Sequence, residues 1–241
     1  MTDGALAWFR TVRLAQKAVL RRHRFIVAGS IGIDIILRKL EVTDKLVDFA
    51  RLYVRELTEP EALQLASDLA ASYEIPWNES LGRHLLELVG STVPYFVHLF
   101  FSELGQLPAA ERHSLGSAQL DRTYRERILG PTCRHYFDHY RTRLRRYGVA
   151  GEKAGMAILR AVAADASGRV SRSALYDVYR KARGRGANDT EFDELLADME
   201  HDWYLRLDPA TNEYHYLFAL MCDWWRRWHP AAAQRKLSRS S

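Results

Sequence analysis

The first 54 residues combine one amphipathic helix pattern with two short apolar segments. Apolar and basic residues alternate at helical spacing over residues 5–22, which predicts an amphipathic helix. Residues 25–28 are continuously apolar and are followed by Gly29 and Ser30, a pattern typical of a strand buried on both faces of a parallel sheet. Residues 48–54 predict a second strand. The beginning of the chain therefore predicts part of an α/β sheet, with Ser30 at a strand end.

A helical pattern follows over residues 58–104. Thr58 can cap a helix, Pro60 fits its first turn and Glu61 completes a capping box. Pro76 then interrupts the pattern. The predicted helices cover residues 58–71, 80–89 and 94–104, and the loop 90–94 joins the last two.

The second half of the chain begins with residues 105–130, whose first part is rich in Gly, Pro, Ser and Ala and predicts a flexible linker. A long basic helix is predicted over 131–147. The elements that follow are helices over 152–164, 171–183 and 189–201 and strands over 204–207 and 214–217. Three helices followed by a hairpin predict a winged-helix domain. A helix over 218–229 is expected to pack back on it through part of Trp224, Trp225 and Trp228, and the tail 231–241 is expected to be disordered.

Composition narrows the class of protein. A chain of 241 residues with 47% hydrophobic residues can form folded cores. The net charge of +5 is small beside 35 basic and 30 acidic residues, so it permits acidic partners without requiring them. Cys133 and Cys222 are far apart and are predicted to be reduced thiols. No apolar run has the length of a membrane span, and the N-terminus lacks a signal-peptide pattern, so we expect no membrane contact and a cytoplasmic location.

Four motifs together resemble AAA+-like P-loop ATPases of the archaeal ATPase and STAND type. They are FIVAGSIG at 25–32, Asp48 with its following strand, LTEPEA at 57–62 and GSTVP at 90–94. The resemblance covers roughly residues 5–104 and extends loosely to the C-terminal winged helix. It implies that the first motif is the sensor-1 strand and that the later ones belong to the last core strand and the helical lid. It further implies that Ser30 faces the γ-phosphate of ATP and that Gly90 and Pro94 form the lid turn near the adenine.

The fold class expected from pattern and resemblance is mainly α. It comprises a partial α/β P-loop ATPase core remnant, a helical lid and a C-terminal winged-helix domain. The expected domains are a partial ATPase core over 1–57, the lid over 58–104, a linker over 105–130, the basic helix with the winged-helix domain over 131–230, and a disordered tail over 231–241.

Important parts of an ATPase site are missing from this sequence. There is no GxxxxGK[ST] motif, so the backbone N–H cradle and the lysine that neutralise the phosphates are absent. No apolar strand ending in acidic residues precedes Phe25, so the residues that bind magnesium and activate water are absent too. We therefore assign no catalytic residue and expect no ATP hydrolysis by this chain alone. ATP or ADP with magnesium is expected only if missing sequence or a partner supplies a P-loop.

The resemblance also predicts a partner for the first strands. In the family, the phosphate-loop strand lies between the two strands predicted here over 25–28 and 48–54. Without it, both strands would expose unpaired backbone groups. We expect a protein partner or a missing ATPase half to cover residues 25–54. The chain would then be a fragment of a longer ATPase, a separately encoded half, or a degenerate relative that has repacked, and the first two alternatives are favoured.

Two basic segments are candidates for contact with nucleic acid or a protein partner. They comprise Arg141, Arg143, Arg145 and Arg146, and Arg180, Lys181, Arg183 and Arg185. Both could follow a phosphate backbone without reading sequence, or they could form a solvated face and pair with the acidic helix over 189–201. That helix carries no Lys or Arg where a winged-helix domain places its recognition helix, so we expect no major-groove reading through it.

A metal site is a weaker candidate. His135 and His139 share a helical face, and Cys133 and Asp138 are near them in sequence. However, Cys133 lies off that face and arginines surround the segment. We assign no metal ligand.

Two functional hypotheses follow. The first is a lid and winged-helix segment of an AAA+/STAND-like regulatory protein, which acts as a nucleotide-responsive interaction module. The second is a nucleotide-independent winged-helix protein that binds DNA or a protein partner through its basic helices. Salt-sensitive DNA binding without an effect of ATP would favour the second.

Overall fold

The computed structural model describes residues 55–230, which lie within one compact unit. These residues are mainly helical with a small three-stranded antiparallel sheet, so the mainly α prediction is confirmed. Ser30, the strands predicted over 25–28 and 48–54, and the tail over 231–241 lie outside the described residues. The predicted partner that covers residues 25–54 concerns the same segment.

Three helices begin the described region, and their bounds agree with the predicted helices within one residue. They are α1 (Glu59–Ser72), α2 (Glu79–Val89) and α3 (Pro94–Gly105). The Glu61 carboxylate accepts a hydrogen bond from the Thr58 N–H at 2.7 Å, as a capping box requires. At the start of α2, the Asn78 side chain accepts from the Leu81 N–H at 3.0 Å. Local capping therefore determines where these helices begin.

The core of this helical part depends on small residues in α1. Ala62, Ala66 and Ala70 are spaced by four residues, share one helical face and are fully buried. Their small size permits α3 to pack closely on α1. The Trp77 ring lies 4.9 Å from the fully buried Phe101 ring and covers the far end of this contact. The large aromatic side chains thus fill the space in the core that the small alanine side chains leave open.

The prediction of a linker over 105–130, with a flexible connection over 105–120, does not fit the structure of this segment. The segment folds into α4 (Ala109–His113), α5 (Ser117–Thr123) and a π-helical turn (Tyr124–Ile128). The Gly, Pro, Ser and Ala residues that suggested flexibility lie before this turn. After them, Leu120, Tyr124 and Ile128 recur at helical spacing, and all three are buried.

Side chains also fasten this segment to the rest of the unit. The Arg127 guanidinium donates to the Glu103 carboxylate of α3 at 2.8 Å. The Tyr124 hydroxyl donates to Asp223 at 2.8 Å, and the indole N–H of Trp228 donates to the carbonyl of Leu129 at 3.0 Å. Residues 105–130 therefore connect the helical part to the end of the chain through packing and hydrogen bonds.

The C-terminal part contains every helix and both strands that the sequence predicts, plus one short strand that it did not indicate. Its elements are α6 (Arg134–Arg143), a 3₁₀ turn (Leu144–Tyr147), α7 (Gly148–Ala164), β1 (Arg169–Ser171), α8 (Arg172–Arg183), a second 3₁₀ turn (Gly184–Gly186), α9 (Asp189–His201), β2 (Leu205–Asp208), β3 (Glu213–Tyr216) and α10 (Ala219–Trp228). The three-residue strand β1 is too short to produce a periodic pattern.

The sheet has the order β1-β3-β2, and both pairs are antiparallel. The alternating residues Tyr214 and Tyr216 of β3 are buried, and the Tyr216 hydroxyl donates to the carbonyl of Leu159 in α7 at 2.8 Å. The guanidinium of Arg169 on β1 lies 2.8 Å from Asp208 on β2 and joins the two outer strands. The central strand thus holds the sheet against α7.

The final helix, α10, contacts both halves of the unit. Its Trp224 and Trp225 side chains are fully buried, so the expected packing through tryptophans is observed. The Trp224 ring lies 6.0 Å from Phe137 of α6, and the Trp225 ring lies 6.4 Å from Tyr216 of β3. α10 also contacts α2, a contact that the sequence did not indicate.

Among the helices within residues 55–230, none is long and apolar enough to cross a membrane by itself. The bent pair α2 and α3 meets the length and composition criteria only when the two are taken together, across a bend of 114°.

Removal of the Arg127 side chain tests whether residues 105–130 belong to the core. Arg127→Ala is expected to lower the free energy of unfolding by about 2–4 kcal/mol, because it leaves the buried Glu103 carboxylate without its cation. The matched variant Arg122→Ala removes an exposed ion pair with Glu111. It is expected to change the free energy of unfolding by less than about 1 kcal/mol. Urea unfolding monitored by circular dichroism measures both. Equally small effects would contradict the assignment of this segment to the core.

Candidate functional site

The loop between α2 and α3 contains the two described residues that the resemblance places near a nucleotide. Gly90 ends α2 with φ +64° and its N–H donates to the Leu86 carbonyl at 2.8 Å. A Cβ atom at Gly90 would lie 2.5 Å from the Cβ of Ala219, the first residue of α10. The Thr92 hydroxyl donates to the Leu57 carbonyl, and Pro94 begins α3. The glycine is therefore explained by close packing within the protein.

This packing explains Gly90 without a nucleotide. The Cβ side of Gly90 is filled by the backbone and side chain of Ala219, so an adenine ring could not contact the glycine from that side. Ser30, the other residue expected near the nucleotide, lies outside the described residues. The adenine contact of Gly90 and Pro94 that the resemblance implies therefore stays a prediction.

Two surface cavities adjoin the start of α2. One has a volume of about 630 Å³ and is lined by Arg83, His84 and residues 115–117 among others, and the second has a volume of about 520 Å³. Arg83 forms ion pairs with Glu59 and Glu79, and a His84 ring nitrogen lies 2.9 Å from the Asp121 carboxylate. Because these charged groups are paired with one another, neither cavity presents an unpaired cation for a phosphate.

The arginines of α6 and of the 3₁₀ turn that follows it lie on two different sides of the protein, which we call flanks. Arg134 and Arg141 face the end of α10, where the Arg134 guanidinium lies 4.3 Å from the centre of the Trp228 ring. Burial is the main cause that lowers the pKa of His229 to about 4, and the nearby arginines, Arg141 first, lower it in the same direction. This flank therefore concentrates positive charge next to a half-buried imidazole.

Arg143 and Arg146 lie on the other flank. The Arg143 guanidinium is 4.7 Å from the centre of the Tyr140 ring. Burial raises the pKa of Tyr204. Arg143 and Arg146 are close enough to Tyr204 that their positive charges oppose this rise. The buried Nη1 atom of Arg143 has no hydrogen-bond partner among residues 55–230. The group predicted as Arg141, Arg143, Arg145 and Arg146 is thus divided, with Arg145 exposed on the 3₁₀ turn.

The second basic segment partly pairs with the acidic helix α9, an alternative that the sequence left open. Arg183 forms an ion pair with Glu191, and Arg172 lies 2.5 Å from Asp193. Arg180 forms a pair within α8 with Asp177 at 3.5 Å. The remaining members of the predicted group, Lys181 and Arg185, are exposed.

The two basic segments lie near opposite ends of α9. Arg183 pairs with Glu191 in the first turn, whereas Arg143 and Arg146 lie near Tyr204, just beyond the last turn. From Glu191 to the end of α9 at His201, the helix rises about 15 Å. The structure therefore does not combine the two predicted segments into one continuous basic surface.

Three exposed aromatic side chains belong to the elements around Arg143 and Arg146. Tyr95 lies near Tyr140, on whose ring the Arg143 guanidinium rests, Tyr136 precedes Tyr140 by one turn of α6, and Trp203 directly precedes Tyr204. Tyr95, Tyr136 and Trp203 are 44%, 38% and 39% exposed. Their sequence context does not distinguish them, because the exposure of an aromatic residue cannot be derived from its local pattern. Burial is the main cause that raises the pKa of Tyr95, and Tyr136 is close enough to raise it further. We refer to Tyr95, Tyr136, Trp203, Arg143 and Arg146 as the aromatic–basic surface.

Buried rings support this surface from below. The Tyr95 ring lies 5.4 Å from Phe96, and the Trp203 ring lies 6.1 Å from Phe218. Phe96 and Phe218 are themselves 5.0 Å apart and almost fully buried. The exposed rings on α3 and on the loop after α9 are thus connected through two core rings.

Trp203 has an unusual backbone conformation. Its φ of +67° lies in the left-handed region, which a residue with a bulky side chain rarely adopts. Hydrogen bonds on both sides maintain it: the Trp203 N–H donates to Glu200 at 3.1 Å, and the Tyr204 N–H donates to Met199 at 2.9 Å. The preceding Asp202 is buried and accepts from the Tyr147 hydroxyl at 2.7 Å. The surrounding structure therefore fixes the position of an exposed indole.

Cys133, which lies in the segment considered as a metal site, packs in the protein core instead. Cys133 is fully buried, and burial, followed by the nearby Glu103 carboxylate, raises the pKa of its thiol to about 12. Within residues 55–230, no group of three or more His, Cys, Asp or Glu side chains is arranged to hold a metal ion.

Substitution of Gly90 tests its packing against α10. Gly90→Ala is expected to lower the free energy of unfolding by about 2–4 kcal/mol, since both the positive φ and the clash with Ala219 oppose a Cβ. Gly168→Ala is the matched control, because Gly168 also has a positive φ, +68°, and its added Cβ would meet only the Arg226 guanidinium at an ordinary contact distance of 3.6 Å, so only about 1 kcal/mol is expected. Chemical unfolding curves give both values. An equal loss for the two variants would show that Gly90 has open space beside it.

Comparison with known proteins gives no family for this chain. No protein-family model matches the sequence, and no curated protein matches it.

Proposed function

We propose that residues 131–230 form a winged-helix module that binds nucleic acid without requiring a nucleotide. The order of elements supports this proposal: α7, β1, α8 and α9 are followed by the β2–β3 hairpin, and β3 lies between the other two strands. Winged-helix domains, in which a helix-turn-helix is followed by a β-hairpin, have this order and commonly contact phosphate backbones.

The charge of α9 limits how nucleic acid can approach. The helix and the residue after it carry seven acidic residues: Asp189, Glu191, Asp193, Glu194, Asp198, Glu200 and Asp202. Insertion of this helix into a groove would bring these carboxylates against phosphates. Arg172 and Arg183 neutralise only part of its first turns. Nucleic acid must therefore contact a different surface from the one that a groove-reading winged helix uses.

The observation that carries the proposal is the position of Arg143 and Arg146 beside exposed aromatic rings. None of Arg143, Arg145 and Arg146 forms an ion pair with another residue in the range 55–230; Arg143 is half-buried over the Tyr140 ring, and Arg145 and Arg146 are exposed. The exposed guanidinium groups can bind phosphate oxygens without first breaking an internal ion pair. Contacts of this kind position a nucleic acid but do not read its sequence.

Two matched double variants test the proposed surface. Arg145→Gln with Arg146→Gln is expected to weaken binding of a fluorescein-labelled oligonucleotide roughly tenfold at low salt and to reduce the salt dependence by about one to two counterions. Lys181→Gln with Arg185→Gln removes the same charge near the other end of α9 and is expected to leave both quantities close to those of the parent protein. Fluorescence anisotropy at several salt concentrations measures them.

The proposal fails if the parent protein binds no oligonucleotide, or if both double variants lose affinity equally. The second result would show that net charge, and not this surface, determines binding. Addition of ATP or ADP with magnesium is expected to leave the affinity unchanged.

A second candidate function is the nucleotide-responsive regulatory module that the sequence resemblance implies. The specific observation in its favour is the direct contact between Gly90 and Ala219, through which any movement of the lid helices would move α10 and the C-terminal part. ATP or ADP with magnesium would need a P-loop from outside this sequence, on the same polypeptide or on another chain. Ser30, Gly90 and Pro94 remain the residues proposed to lie near it.

Nucleotide binding by the purified chain, alone and mixed with the product of the immediately upstream coding sequence, tests this candidate. A fluorescent ATP analogue and release of phosphate are the two measurements. Binding or hydrolysis only in the mixture would support a P-loop supplied by the second protein, and a variant of its P-loop lysine is the control. Absence of a nucleotide response in both samples would exclude this candidate and leave the nucleic-acid proposal unaffected.

A further inference from the structure

We propose that the aromatic–basic surface selects single-stranded over duplex nucleic acid by stacking bases on Trp203, Tyr95 and Tyr136. This inference rests on the proposed function, because it specifies the class of nucleic acid that the same surface binds. Unpaired bases expose their π faces, whereas the bases of a duplex are stacked on one another and do not.

The three rings are suited to stacking because each is partly exposed and supported. Between 38% and 44% of each residue is accessible, which leaves ring surface for a base. Tyr95 rests on Phe96 and Trp203 rests on Phe218, so these two rings do not need to be ordered when a base binds. Tyr136 lies on α6, a regular helix that keeps its side chain near Tyr95.

The backbone at Trp203 adds a second observation. A positive φ in a tryptophan is unfavourable, and hydrogen bonds from neighbouring residues keep it in place. This conformation leaves the indole 39% exposed although it follows immediately after a well-packed helix. An exposed apolar ring held by a strained backbone indicates a binding role more than a packing role.

The distribution of charge favours one strand over two. Arg143 and Arg146 supply positive charge on the flank with the rings, and Arg146 is exposed there together with its neighbour Arg145. Glu200 and Asp198 lie in the last turns of α9, immediately before Trp203. A single strand can follow the arginines, whereas a duplex is wider and would bring its second phosphate chain toward the acidic helix.

The test compares a labelled 20-nucleotide thymidine oligomer with a duplex of the same length by fluorescence anisotropy at low salt. The parent chain is expected to bind the single strand at least about tenfold more tightly than the duplex. Trp203→Ala and Tyr136→Ala are each expected to weaken single-strand binding by about five- to a hundredfold, the range for loss of one base stack. Trp203→Phe retains a ring and is expected to restore most of the affinity.

Val149→Ala is the matched control, because Val149 is 90% exposed but has no ring to stack on a base. Thermal unfolding of each variant shows whether it is folded. If Trp203→Ala does not fold, Tyr136→Ala decides the result, since Tyr136 lies on the surface of α6. Unchanged affinity in the ring variants, or equal binding of the duplex, overturns this inference while the proposed function stands. Absence of binding to either oligonucleotide overturns both.

Discussion

The burial of two consecutive tryptophans in α10 is the interaction on which the rest of this structure depends. Neighbouring residues on a helix point about 100° apart, so Trp224 and Trp225 can both be buried only if α10 is covered over a wide arc. α6 covers one side, and α7 with the sheet covers the other. Ala219 at the start of the same helix packs on Gly90. The helical part and the C-terminal part therefore share one helix as a common core element.

This arrangement also determines where function can reside. The Gly90 loop is closed by α10, and the acidic helix α9 repels phosphates and engages Arg172 and Arg183. The aromatic–basic surface, by contrast, keeps exposed aromatic rings accessible near two arginines. The residues that resemble an ATPase lid contribute to this surface through Tyr95, which lies directly after Pro94.

Local sequence signals predicted the helices well but did not predict how the helices pack against one another. The capping pattern at Thr58 and Glu61 determines the start of α1, and the apolar periodicity determines the bounds of the other long helices. The π-helical turn and the burial of Leu120 were missed because Gly, Pro and Ser nearby resemble a linker and because its partners, Asp223 and Trp228, are about 100 residues away in sequence. The division of Arg141 and Arg143 between two flanks has a local cause, because residues two positions apart lie about 200° apart around a helix, so helical spacing alone could have predicted it.

The folded segment over 105–130 affects how this architecture could be inherited. A true linker permits the domains on either side to be exchanged between proteins, because a crossover within it disturbs no packing. Here a crossover would separate Tyr124 from Asp223 and Leu129 from Trp228 of α10, and would leave apolar surface exposed on both products. Recombination that preserves folding must therefore transfer the lid-like helices and the C-terminal part together, so that the two evolve as one heritable unit.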